Sequence, residues 1–230
     1  MELSKRLHGI ASLVTPGNRA VDVGCDHGYT PIWLVERGIS PAAIAADVRP
    51  GPLSRAEEHI REAGLEEQIE TRLSDGLAQI RPGEGESLIM SGIGGLLMIR
   101  LLSDQRETAH SFRELILSPQ SDLDQVRRFL KEDGYTILRE RLCREDGKYY
   151  FIFHAVPIRD ERTWTEGEFT YGRDHEPESR PLVREYLQHM LSKQEGILEK
   201  LLANLAEDNE RIRELRDEIN RTKEYCHEMQ

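Results

Sequence analysis

Apolar residues follow two rhythms along this chain. Up to about residue 160, short runs of Val, Ile, Leu and Ala alternate with stretches whose apolar positions repeat every three or four residues. Leu3, Leu7, Ile10, Ala11 and Val14 share one helical face, and Pro16-Gly17 breaks the chain behind them. Strands are predicted over 19–24, 42–47, 69–73, 87–90 and 114–117, and helices over 30–37, 52–63, 96–102 and 122–131. Residues 135–141 and 148–158 read as an antiparallel hairpin around Glu145-Asp146-Gly147. Alternating strand and helix predicts an α/β fold, a Rossmann-like parallel sheet with helices on both faces. The hairpin at one edge sets it apart from a plain dinucleotide fold.

Past residue 160 the texture changes. Residues 161–177 are polar, with Trp164, Phe169 and Tyr171 as the apolar anchors, and read as a linker or ordered connector. From 178 to 230 no strand signal remains. Leu187, Leu191, Gln194, Leu198, Leu201, Leu205, Asp208, Ile212, Leu215, Ile219, Thr222 and Cys226 keep alternating spacings of three and four, a coiled-coil repeat. One long helix fits this pattern. A hairpin of two helices turning at Glu207-Asp208-Asn209-Glu210 is favoured, because a lone exposed seam would need another chain. The expected organisation is thus an α/β domain over 1–160, a connector over 161–177 and a coiled-coil helical domain over 178–230.

Composition narrows the function. The 230 residues carry 31 Lys+Arg against 42 Asp+Glu, a net charge of −11, which argues against a surface coated in basic charge for nucleic acid but leaves room for a local patch. No apolar run is long enough to cross a membrane, and the charged start (Glu2, Lys5, Arg6) lacks a secretory pattern, so a cytoplasmic protein is expected. Cys25, Cys143 and Cys226 are odd in number and far apart, which argues against a disulfide scaffold. The eight His are dispersed, and no metal site is expected.

The chemistry concentrates where strands end. In Ala20-Val21-Asp22-Val23-Gly24-Cys25-Asp26-His27-Gly28 a buried strand turns into a helix: Gly24 permits a tight turn, and Gly28 lets a ligand approach the backbone. Asp26 stands where a pyrophosphate would sit, so a cationic sulfonium and an ammonium suit the loop better. Asp47, ending the second strand, can accept both hydrogens of a ribose diol; a turn or capping aspartate is the plainer reading. Ser74-Asp75-Gly76 can read an adenine amino group or simply turn the chain. Gly92, Gly94 and Gly95 follow the fourth strand and allow close backbone approach or a tight turn. Their order, one after each successive strand, is that of a class I S-adenosylmethionine-dependent methyltransferase.

Beyond that order, the chain resembles the bacterial tRNA (adenine-22-N1)-methyltransferases, the TrmK family, over about residues 1–157. The likeness rests on Leu3-Ser4-Lys5-Arg6-Leu7, Gly24-x-Asp26-His27-x-Tyr29-x-Pro31, Gly51-Pro52, Asp75-Gly76-Leu77, Gly92-x-Gly94-Gly95 and Glu145-Asp146-Gly147-Lys148-x-Tyr150. Two places depart: Ile93 stands for the family's methionine, and Ser118-Pro119-Gln120 for its Gln-Pro-Asn. The resemblance implies methyl transfer from S-adenosylmethionine to N1 of adenine 22 of tRNA, in the D-arm region. It implies Gly24, Asp26, Gly28, Asp47, Asp75, Gly76 and Gly92 at the cofactor. Tyr29, His27 and Gln120 are candidates for positioning the base, against packing and loop roles for Tyr29 and His27. Lys5, Arg6, Arg19, Arg49 and Arg55 are candidate phosphate contacts. A methyltransferase acting on another RNA or a small molecule, and a noncatalytic adaptor that only holds the ligand, are the alternatives.

Overall fold

A computed structural model describes residues 2–204 and 209–228. In chain order the elements are α1 (Lys5–Ala11), β1 (Ala20–Val23), α2 (Tyr29–Glu36), β2 (Ala43–Asp47), α3 (Pro50–Glu62), β3 (Ile69–Leu73), β4 (Ser87–Ser91), α4 (Gly95–Asp104) and α5 (Arg106–Ser111). There follow β5 (Glu114–Ser118), α6 (Leu123–Glu132), β6 (Thr136–Glu145), β7 (Lys148–Val156), α7 (Glu166–Tyr171), α8 (Arg180–Leu202) and α9 (Glu210–Glu228). One seven-stranded sheet runs in the order β3-β2-β1-β4-β5-β7-β6. The first five strands are parallel, and the β6–β7 hairpin adds antiparallel to β5. The order reverses between β1 and β4, the switch point at which an open α/β sheet leaves a crevice at its carboxyl ends.

Strand alternation divides the core. Val21, Val23, Ile44, Leu88, Met90, Leu115 and Leu117 join the layer that holds α4 and α6. Ala20, Ala43, Ala45, Ile89 and Ile116 join the layer with α1, α2 and α3. Local chemistry sets the ends of the elements. Pro50 and Pro52 open α3, and Gly64 at φ +68° closes it, with Leu65 N–H reaching back to the Ile60 carbonyl. Asp146 and Gly147, at φ +49° and +76°, make the two-residue turn that pins the hairpin register at Glu145 opposite Lys148.

Two features differ from the sequence expectation, and a third follows the ordered one of its two readings for the connector. Strand β6 runs on to Glu145, because pairing with β7 continues to the turn. A short helix, α5, precedes β5 without a clear apolar period of its own. The 161–177 stretch is folded: Thr165 and Glu168 cap α7 reciprocally, and Trp164 and Tyr171 are buried in the layer that also takes Val183, Leu187 and Tyr225. The base of the C-terminal helices therefore shares the sheet's core.

Farther out, α8 and α9 pack as a pair. Gln194, Ile212, Leu215, Ile219 and Thr222 are buried in the seam, and Thr222 Oγ1 donates to Gln194 Oε1 at 3.1 Å. The seam positions Leu205 and Asp208, and the Glu207-Asp208 part of the anticipated turn, lie outside the described residues. At the joint, the fully buried Arg127 pairs with Glu140 (Nη2–Oε2 2.7 Å) and donates to the Phe169 and Thr170 carbonyls. This ties α6 and β6 to α7.

Candidate active site

A cleft of about 630 Å³ opens at the carboxyl ends of β1, β2, β3 and β4. The loop after β1 is its floor. Gly24, Asp26 and Gly28 all have positive φ (+78°, +48° and +72°), so three left-handed residues within five fold the chain sharply into α2. Asp is among the few L residues that accept this conformation. The loop is tied to β2 by Gly24 N–H and Cys25 N–H on the Ala46 carbonyl (2.8 and 3.0 Å) and by Asp26 N–H on Asp47 Oδ2 (3.3 Å).

Two buried carboxyls face this cleft. Asp47 ends β2 and also accepts Arg49 N–H at 2.8 Å. Asp22 sits in β1 on the same sheet face as Ala20, between Ala45 of β2 and Ile89 of β4. An apolar residue would be expected at that position. Burial, first, and the neighbouring Asp47 charge push the Asp22 carboxyl up to about 7, and Arg6 pulls it partly back. The same burial, with Asp22, Asp47 and Asp26 nearby, raises the Cys25 thiol, so Cys25 is no thiolate nucleophile.

The other loops complete the walls. Ser74 Oγ donates to the Gly76 carbonyl at 2.8 Å and accepts Gln79 N–H at 3.0 Å, fixing Asp75 at the rim. Gly76 is needed for packing: a Cβ there would fall 2.7 Å from Leu101 Cδ2, at φ +59°. Gly92, at φ +78°, faces Arg6 Nη1 and Gln120 Nε2, each 3.9 Å from where its Cβ would stand. Leu97, Arg100 and Leu101 line the cleft from one face of α4. Tyr29, His27 and His59 form a three-ring cluster, with centroids 5.3 Å (His27–Tyr29), 5.1 Å (Tyr29–His59) and 5.8 Å (His27–His59) apart, and His59 Nδ1 meets the His27 carbonyl at 2.9 Å.

Four aspartates and three arginines line this site, the two buried charges among them are both carboxyls, and its walls include three glycine turns and an aromatic cluster. That suits a nucleoside with a cationic end better than a dinucleotide, whose phosphates would meet Asp22, Asp26 and Asp47.

The sequence model of a family described as a methyltransferase domain matches residues 3–153. The tRNA (adenine(22)-N(1))-methyltransferase of Bacillus subtilis (strain 168) is 32% identical over 155 residues, 67% of this chain and 65% of that protein, so the match spans slightly under two thirds of the relative. Among solved structures, Streptococcus pneumoniae Sp1610, a candidate tRNA (m1A22) methyltransferase, superposes with a TM-score of 0.89 at 32% identity, over 98% of this chain and 100% of that one. The chain belongs to the TrmK family of methyltransferases. The B. subtilis TrmK crystal structure agrees, with a TM-score of 0.85 at 26% identity over 98% and 99% of the two chains. The likeness to TrmK structures thus runs past residue 157 through the C-terminal helix pair. The S. pneumoniae protein has also been solved in complex with S-adenosyl-L-methionine.

In this TrmK-family chain the cleft gathers Gly24, Asp26, Asp47, Asp75, Gly76 and Gly92, and also Tyr29, His27 and Gln120. Gly28 does not line it. Its hydrogen faces Ala56 of α3, where a Cβ would come within 3.1 Å of the Ala56 Cβ, so Gly28 serves helix packing and the turn. The candidate phosphate contacts scatter. Arg49 and Arg55 stand at the rim against Asp47 (3.8 Å) and Asp26 (3.6 Å). Lys5 is exposed on α1, its backbone N–H held by Glu145 at 2.7 Å. Arg19 precedes β1, at the opposite end of the parallel sheet from the cleft, and pairs with Glu70 at 3.7 Å. It is removed from the ligand side because a parallel strand puts its first residue at the far edge. Sequence reasoning also missed Asp22, Arg100 and His59. For Asp22 the signal was present: a carboxylate at a core position of a buried strand needs a reason.

Proposed function

We propose that the chain methylates N1 of adenine 22 of tRNA with S-adenosylmethionine as donor. The observation that carries the reading is the pair of buried carboxyls, Asp22 and Asp47, at the switch point of a sheet that follows TrmK structures from end to end. When bound, the cofactor supplies an electrophilic methyl on a sulfonium. Asp47 accepts from the ribose diol; Asp75 faces the adenine; Gly24, Gly76 and Gly92 keep backbone close to the ligand; Asp26 contributes negative charge near the cationic end.

Neutral adenine N1 holds a lone pair, so no side chain has to remove a proton before attack. The work left to the protein is alignment and stabilisation of the positive charge that develops on the base. Gln120, beside Gly92, offers an amide to the base, and Tyr29 and His27 offer ring faces to it. Arg49 and Arg55 at the rim are the nearer phosphate contacts, with Lys5 on the neighbouring helix. Among the described residues no helix is long and apolar enough to cross a membrane, and a cytoplasmic placement beside the tRNA pool fits.

The test is methyl incorporation from labelled cofactor into tRNA lacking the modification, with the modified nucleotide mapped. Label at N1 of adenine 22 is the expected result. Cofactor binding with label only in another RNA or a small molecule would move the activity to a different acceptor.

A further inference from the structure

Three strand ends of the cleft share one pattern. The aspartate that closes or follows each strand meets an arginine at the rim. Asp26, after β1, meets Arg55 of α3 at 3.6 Å; Asp47, ending β2, meets Arg49 just before α3 at 3.8 Å; Asp75, after β3, meets Arg100 of α4 at 3.7 Å. All three contacts are longer than a hydrogen bond. Arg141 and Glu176, by contrast, close to 2.6 Å. The three arginine side chains are all at least half exposed. Exposed ion pairs of this kind contribute little to the fold, so the arginines can leave their aspartates at small cost.

The same three carboxylates are the ones assigned to the cofactor: Asp47 to the ribose diol, Asp75 to the adenine and Asp26 to the cationic end. Each aspartate therefore has two partners, a rim cation and a ligand group. The methyl donor also changes the charge of the cleft. Its ammonium and carboxylate cancel, and the sulfonium leaves one net positive charge among four lining aspartates. A polyanion approaching the rim is repelled by those aspartates, and a bound cation weakens the repulsion. Guanidinium forks turned outward from the rim match phosphate oxygens.

We propose that Arg49, Arg55 and Arg100 form one phosphate-binding rim that the cofactor switches on: ligand groups on Asp47, Asp26 and Asp75 release the three arginines to the tRNA backbone, so cofactor and tRNA strengthen each other's binding. This rests on the cofactor and tRNA readings above. It gives Arg100, whose second partner is Asp104 of its own helix at 3.6 Å, a role toward RNA. Linkage makes the effect reciprocal: tRNA must tighten the cofactor by the same factor.

The experiment measures the affinity of the full chain for an unmodified tRNA transcript by fluorescence anisotropy over a range of salt concentrations. It compares the protein alone with the protein saturated with S-adenosylhomocysteine or with sinefungin, which carries a protonated amine in place of the sulfonium. The transcript should bind about fivefold tighter or more with S-adenosylhomocysteine, and tighter again with sinefungin. The salt dependence should steepen when cofactor is present, because more arginines then reach phosphates. Asp75→Asn should bind the transcript more tightly than the parent in the absence of cofactor and gain less from it, since Arg100 is already released. Arg100→Gln should lose affinity chiefly in the presence of cofactor, with a salt slope smaller by about one. Thermal melting shows that both variants are folded. Equal tRNA affinity with and without S-adenosylhomocysteine, in a parent that binds both, would overturn the coupling alone. A parent that binds no S-adenosylhomocysteine would overturn it together with the cofactor reading, and one that binds S-adenosylhomocysteine but no tRNA would overturn it together with the RNA reading.

Discussion

Asp22 and Asp47 turn two buried carboxyls into one cleft from neighbouring parallel strands, and each is only 4% exposed. Their proximity raises the Asp22 carboxyl to about 7, with burial the larger cause. Between the unfolded value near 4 and that raised value the native state holds the extra proton, so Asp22 lowers stability progressively as pH rises through this window. Asp22→Asn should therefore gain thermal stability over the parent at about pH 8 and lose that advantage at about pH 4. Parent affinity for the cationic cofactor should move the other way, rising from about pH 6 to pH 8 as Asp22 ionises, and the Asn variant should lack the rise. Melting curves and calorimetry across pH check both; a variant as unstable as the parent at high pH would contradict the first.

Asp47 holds loop and ligand at once. Asp47→Ala should weaken cofactor binding by about 1–3 kcal/mol, since two ribose hydroxyls lose a charged acceptor. The Asp26 and Arg49 backbone N–H groups lose theirs too. Asp47→Asn keeps one oxygen and should fall between. Calorimetric titration orders the three proteins, and equal affinities would remove Asp47 from the site.

Gly28 tests the difference between a packing glycine and a ligand glycine. A methyl there meets Ala56 and has to sit on a left-handed backbone, which a Cβ disfavours. Gly28→Ala should cost about 1–2 kcal/mol of stability. At temperatures where it stays folded, its cofactor affinity should match the parent's. Denaturant unfolding and calorimetry separate the two effects.

At the far end of the sheet, Glu114 accepts from Ser87 Oγ (2.6 Å), Thr15 N–H (2.8 Å) and Thr15 Oγ1 (2.6 Å), and meets His154 Nε2 at 2.8 Å. Burial raises its carboxyl, but these hydrogen bonds outweigh burial and bring it down to about 2. Being depressed, it stabilises the fold above its unfolded value, and that contribution is lost as pH falls from about 4.5 through 2. Glu114→Gln should be markedly less stable than the parent at about pH 7, with the gap closing in acid. A gap that does not change with pH would point to a packing defect.

The Arg127–Glu140 pair, wholly buried, should show the asymmetry of interior ion pairs. Arg127→Met leaves a buried carboxylate and should cost about 3–5 kcal/mol. Adding Glu140→Leu should recover much of that loss, and a double-mutant cycle in urea measures it.

The alternation of strand and helix was legible because β1, β2, β4 and β5 are short apolar runs and α1, α3, α4 and α6 carry three-to-four-residue stripes; Ile69–Leu73, polar at three of its five positions, was still bounded to the residue. The β6–β7 turn was legible because Asp-Gly favours the left-handed pair a two-residue hairpin needs. The folding of 161–177 was only half legible. Thr165 and Glu168 have capping-box spacing, but the burial of Trp164 and Tyr171 depends on α8 and α9 returning to the sheet. Local sequence thus determined which residues end the strands, and so brought Gly24, Asp47, Asp75 and Gly92 to one edge. Tertiary structure alone decided which charges face that edge. Arg19 and Arg6 look alike as candidate phosphate contacts, yet the parallel sheet carries Arg19 to its far end while α1, docked on β6, swings Arg6 into the cleft. A side chain's partners are set by the packing of distant segments, and hydrophobic periodicity carries no information about them.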